Sequence, residues 1–136
     1  MQATQITKTI LATLAASAFF STAARAEVAA ETATLGDYSI TLHLHPFLTE
    51  EDLTILRLVQ SSQEALELFV PQADGFAAMA ASPDDGFIKD GAPVASVVAL
   101  GGLPDAATAA ANAIEGCQKA KTGAADCVLI LEIAPK

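Results

Sequence analysis

His43-Leu44-His45 is the pair whose types and spacing most directly suggest chemistry. On a strand, residues two apart share a face, so both imidazoles reach toward one ion. Asp37 lies on the same face further back. Copper and zinc sites typically use three or four ligands, and no third ligand is specified by spacing. Weak Cu or Zn binding through His43 and His45 is thus an alternative expectation, beside a solvated strand face or a histidine packed under a loop.

Cys117 and Cys127 are the chain's two cysteines. A redox pair would favour Cys-x-x-Cys at a helix start, where the dipole stabilises a thiolate. Cys117 instead falls near a helix end, where the dipole disfavours one. A structural disulfide is expected, closing a loop that chain-entropy arithmetic values at roughly 2.5–3 kcal/mol. Other reactive types lack a frame. Ser61, Ser62, Ser82 and Ser96 sit in no Gly-x-Ser-x-Gly elbow. Asp84-Asp85-Gly86 and Asp90-Gly91 lack the alternating acids and closing Glu of a calcium loop and read as two turns. Gly101-Gly102 precedes a helix, but Pro104 removes a donor and Asp105 repels anions, so it reads as a strand–helix corner. Glu132 is expected to face water. No catalytic residue and no cofactor are assigned.

These residues sit in a chain of 136 residues, enough for one domain. Residues 1–26 read as a cleaved export signal: Lys8, a largely apolar run from Ile10 to Phe20, then Ala24-Arg25-Ala26 before Glu27. That run is too short to span ~30 Å of hydrocarbon at ~1.5 Å per residue, so no stable membrane anchor is expected. The mature chain would start at Glu27, with five bases against 16 acids and a net charge of −11. Such a surface repels phosphate backbones, which disfavours nucleic acid as a partner. The compartment implied is periplasmic or secreted.

Glu27 to Gly36 shows no pattern and is expected to be a flexible segment before a single domain over 37–136. Tyr38, Ile40, Leu42 and Leu44 alternate with Ser39, Thr41, His43 and His45, which predicts a half-buried strand over Asp37 to His45. Thr49-Glu50-Glu51-Asp52 is a helix start with a capping residue and three acids at the positive end of the dipole. Gln60 to Val70 either continues as helix, restarting at Ser61-Ser62, or forms a strand; Pro71 stops it. Phe76 to Ser82 predicts a short buried strand, Ser82 to Gly86 a turn, and Ala92 to Leu100 a further strand ended by Gly101-Gly102. Pro104 is placed at the first position of a helix whose inner face is Ala106 or Ala107, Ala110, Ala113, Ile114 and Cys117. In the last strand Val128, Ile130 and Glu132 alternate with Leu129, Leu131 and Ile133. Short links between elements predict an α+β domain: a small antiparallel sheet with helices packed on one face and one disulfide.

The half from Gly75 to Pro135 resembles a group of small exported alphaproteobacterial proteins of unknown function. Their pattern is a Gly-Ala-Ile-Ala-x-Ser-Pro-x-x-Gly strand and turn, a strand, an Ala-x-x-Ala helix with a Cys, then Cys-Val and a strand ending in Pro. The matching residues are Gly75-Phe-Ala-Ala-Met-Ala-Ala-Ser-Pro-Asp-Asp-Gly86, Ala106 to Ala113, Cys117, Cys127-Val128 and Pro135. The resemblance implies a strand–strand–helix–strand core with a disulfide tying helix to sheet, and it implies no established activity. Gln60 to Asp74 is an insertion relative to the group, and Phe76-Ala77 replaces its aromatic-Gly pair. Some of these proteins are labelled 5-aminolevulinic acid synthase, a chemistry that needs a Schiff-base lysine and pyridoxal phosphate. Lys89, Lys119, Lys121 and Lys136 lie in a turn, at a helix end and at the terminus, without the apolar setting that would activate an amine. The expectation is a non-enzymatic binding or accessory module for a protein or small-molecule partner, meeting it on a sheet face or on the loops from Ser82 to Gly91.

Overall fold

The structure is a computed structural model that describes residues 28–136. The expected export signal over residues 1–26 and the expected cleavage position at Ala26/Glu27 lie outside the described residues. Five antiparallel strands form one sheet in the order β1-β2-β7-β3-β6. They are β1 (Ala30–Leu35), β2 (Tyr38–His43), β3 (Phe76–Ala81), β6 (Val98–Leu103) and β7 (Val128–Pro135). A two-stranded hairpin of β4 (Ile88–Lys89) and β5 (Ala92–Pro93) stands beside it. Helices α1 (Glu50–Ser61), α2 (Gln63–Phe69) and α3 (Ala106–Ala120) complete an α+β fold.

Local chemistry explains most of the boundaries. Thr49 and Asp52 form a reciprocal capping box: the Asp52 amide donates to Thr49 Oγ1 at 3.1 Å and the Thr49 amide to Asp52 Oδ2 at 2.9 Å. Ser62 ends α1 and caps α2, taking the Ala65 amide on its hydroxyl, so Gln63–Phe69 is a restarted helix. The hairpin turn Asp90-Gly91 has positive φ at both residues (54° and 78°), as a two-residue type I′ turn requires.

Strand β3, between β7 and β6, is buried on both faces. Ala77, Met79 and Ala81 enter a core with Leu56, Val59, Leu66, Val70, Leu131 and Ile133, under α1 and α2. Ala78 and Ala80 enter a second, small-residue core with Ala109, Ala113, Cys117 and Cys127, under α3. The helices therefore cover opposite faces of the sheet, a correction to the single covered face expected from the sequence. Period-two geometry sends neighbouring β3 side chains in opposite directions, and both sets are apolar. Between α3 and the sheet the side chains are small enough that a Cβ on Gly116 would come within 3.1 Å of Val98.

Other expectations change in detail. The expected flexible segment over Glu27 to Gly36 contains β1, which pairs with β2 from Ala30↔His43 to Leu35↔Tyr38. Its inward positions are Glu31, Ala33 and Leu35, too mixed to leave a hydrophobic alternation. The buried Gln60 amide fastens it from α1, donating to Glu31 O at 3.1 Å and Ile40 O at 3.0 Å. Gly101-Gly102 does not end a strand; β6 runs to Leu103 with an extra residue against β3 and Gly102 at φ 72°. Asp105, not Pro104, opens α3 by capping the Thr108 amide at 2.7 Å. The helix buries Ala109, Ala113 and Cys117 where Ala110 was expected. In β7 a second irregularity sets Met79 opposite Leu131 and Ala80 opposite Leu129, so Ile130 joins Leu131 in the larger core.

Cys117 and Cys127 are disulfide-bonded, with Cα atoms 6.1 Å apart. The bond joins α3 to the residue before β7. Cys117→Ser is expected to lower the unfolding free energy under oxidising conditions by ~2–5 kcal/mol. Urea denaturation with and without reductant checks this; an unchanged midpoint in the variant would contradict it.

Candidate functional site

Three places in the fold gather chemistry or space. The largest is an apolar pocket of about 470 Å³ on the α1–α2 face of the sheet. Met79 and Ala99 from adjacent strands line it with Val97, while Leu68, Phe69 and Pro71 close one side at the end of α2. Gly91, Ala92 and Pro93 close the other from the hairpin. The lining contains no titratable side chain. Leu68 is 77% exposed at the rim, whereas Met79 is buried. Helix α2 ends at Phe69 ahead of Pro71, the chain turns at Gln72 (φ 58°), and the hairpin reaches the opposite wall through its Asp90-Gly91 turn. Gly101, within β6, lets the backbone of Gln72 pass close against the strand, because a Cβ there would collide with the Gln72 carbonyl.

The second place is the part of the α3-side sheet face that lies over β2 and β7. Thr41 pairs with Glu132 across the strands, and Thr32 and Thr41 hydroxyls are 3.0 Å apart. His43 Nε2 lies 2.7 Å from Glu132 Oε2. Glu132 therefore holds an imidazole instead of standing free in water, as the sequence suggested. His45 lies beyond the end of β2, which stops two residues before the expected strand end, with Nε2 2.6 Å from the Leu129 carbonyl. Its ring stacks on Phe47 at 5.7 Å and stands 6.2 Å from the ring of His43. Both imidazoles line an open cleft with Ile114, Cys127, Leu129 and Glu132. The sequence pair is thus brought together, and its partners Glu132 and Leu129 come from a distant strand that spacing could not connect to it. Among the described residues, no three His, Cys, Asp or Glu side chains are gathered for a metal ion.

The third is a carboxylate knot between the Ser82–Gly86 turn and the link after α3. Asp85 accepts from the Thr122 amide (2.9 Å), the Thr122 hydroxyl (2.7 Å) and the Gly123 amide (3.0 Å). Asp84 accepts from the Ala125 amide at 2.8 Å. The Thr122 amide above all, then its hydroxyl, holds the Asp85 carboxyl far below the usual carboxylate range. The buried Ser96 hydroxyl faces the same carboxylate and adds to the effect, outside close hydrogen-bonding distance. These acids, read from sequence as turn residues, do sit in a turn, but they also fasten the polar link that follows α3.

Comparison with protein-family models, with curated proteins and with solved structures finds no match. Among the described residues, no helix is long and apolar enough to cross a membrane.

Because Asp85 is depressed when folded, its stabilisation is present above the ordinary carboxylate range and is lost as pH falls toward its folded value. Asp85→Asn is therefore expected to lower the melting temperature at pH 7 and to flatten the acid loss of stability between about pH 5 and pH 2. Denaturation across that interval checks it; parallel pH profiles for the two chains would refute it.

Proposed function

We propose that this chain is an exported, non-enzymatic binding module, and that its ligand is a small apolar molecule held between α2 and the β4–β5 hairpin. One observation carries the reading: the pocket of about 470 Å³ whose floor is Met79 and Ala99 and whose walls are Leu68, Phe69, Pro71 and Pro93. Small-molecule sites are concave, mostly apolar and typically ~300–1,000 Å³. An apolar group entering it would leave water at about 25 cal/mol per Å² of buried surface. The lining has no nucleophile and no acid–base group, which supports binding over turnover.

The disulfide supports a periplasmic or secreted site of action, where such bonds persist. The acidity of the chain supports a ligand that is not an anion. The resemblance to small exported proteins is consistent with an accessory role and adds no activity.

The neutral fluorophore N-phenyl-1-naphthylamine is a suitable probe. The disulfide-bonded chain is expected to enhance its emission saturably at one equivalent. Ala99→Phe, which fills the floor, is expected to weaken binding by at least about tenfold, with the fold checked by circular dichroism. His43→Ala, on the other face of the sheet, leaves it unchanged. Absence of saturable binding, or full binding by folded Ala99→Phe, would overturn the assignment.

A further inference from the structure

The face opposite the apolar pocket carries a second site. We infer that His43 and His45 form a two-imidazole site for a divalent first-row transition metal, bound through Nδ1 of both rings. The assignment follows from what the other nitrogen of each ring does. A backbone carbonyl only accepts, so the 2.6 Å contact from His45 Nε2 to Leu129 O fixes the proton on Nε2. A carboxylate likewise accepts, so the 2.7 Å contact from His43 Nε2 to Glu132 fixes the same tautomer in the other ring. A neutral imidazole protonated at Nε2 presents its lone pair at Nδ1, and neither Nδ1 has a protein partner among the described residues.

This is the outer support that metal-bound histidines characteristically have: the non-ligating N–H donated to a carboxylate or a backbone carbonyl. It orients the ring and selects the tautomer. The spacing also fits. With a metal–nitrogen bond of ~2.0–2.1 Å, two ring centres sharing an ion lie about 4.5 Å apart for adjacent ligands, about 5.2 Å at a tetrahedral angle and about 6.4 Å for opposed ligands. A pair about 6 Å apart therefore holds the ion between nearly opposed nitrogens. The centres of His43 and His45 are 6.2 Å apart, inclined at 45°. Stacking on Phe47 restrains the second ring from the side.

The chain supplies two ligands, and the cleft around them is open, with about 330 Å³ between Ile114, Leu129 and the two rings. The remaining coordination positions go to water or to a small donor from solution. Imidazole nitrogen suits copper and zinc, and affinity for such ions rises to Cu²⁺ and falls again at Zn²⁺. Cu²⁺ is therefore the tighter ligand. Glu132 acts through His43 and is a positioning residue.

Titration of the disulfide-bonded chain with copper sulfate and, separately, zinc chloride tests the site. The expected result is one equivalent of either ion, Cu²⁺ the tighter. His43→Ala and His45→Ala should each weaken binding at least about tenfold, and Glu132→Gln by about 10–100-fold. Nitrogen-15 spectra of the histidine rings provide a readout that needs no variant. Both rings should be protonated at Nε2 before metal, and both Nδ1 signals should move with one equivalent of Zn²⁺. In Glu132→Gln the Nε2 preference of His43 should weaken while His45 keeps its own. Unaltered binding by the double variant His43→Ala/His45→Ala would place the ion elsewhere, at surface carboxylates or the amino terminus, and overturn the assignment. So would Nδ1-protonated rings in the parent chain, Nδ1 signals unmoved by zinc, or no binding of either ion at about 100 μM.

Discussion

Strand β3 has no side that faces water, and the rest of the domain is arranged around that condition. Five of its six residues are buried, four of them alanine. Alanine offers little surface, so each face of the strand is buried well only if its cover comes close. On one side α3 meets this with its own alanines, Ala109 and Ala113, and with Cys117. On the other side the small residues leave room for large ones: Leu56, Leu66, Phe87, Ile130 and Leu131 fill the space over Ala77 and Ala81. The division of labour is between a thin core that sets distance and a thick core that buries area.

That asymmetry also locates the two candidate sites. On the thick side α1 lies over β1 and β2, and α2 ends at Phe69, so neither helix packs on β6. The uncovered corner becomes the apolar pocket, walled by the hairpin. The thin layer is covered by α3 over β3, β6 and part of β7 and left open toward β2, which is where the imidazoles and Glu132 stand. Each face of the sheet is thus covered at one end and open at the other, and the open ends are diagonally opposed.

Local signals were readable from the chain, and features made by pairing were not. The capping box at Thr49, the restart at Ser62, the burial of Phe76–Ala81 and the disulfide each rest on near neighbours or on a two-cysteine choice. Strand β1 was invisible because an edge strand with Glu31, Ala33 and Leu35 inward has no hydrophobic period. The irregularities at Gly101-Gly102 and Ile130 are properties of two strands in register, and one strand's alternation cannot report them. The site divides the same way. His43 and His45 announce themselves two residues apart, while Glu132 and Leu129 reach them across more than eighty residues. Asp85 reads as a turn residue, and only the folded chain shows it gripping Thr122 and Gly123.

The link from Thr122 to Asp126 is polar, small-residued and on the surface, the composition proteases outside the cytoplasm cut most readily. A protease must draw such a segment into an extended strand and take over its amides. Here the amides of Thr122, Gly123 and Ala125 are already held by Asp85 and Asp84. A cut that did occur between Cys117 and Cys127 would still leave the two fragments covalently joined, with α3 on one and β7 on the other. The central strand of the sheet would keep both of its neighbours, and a nicked chain would remain one folded molecule.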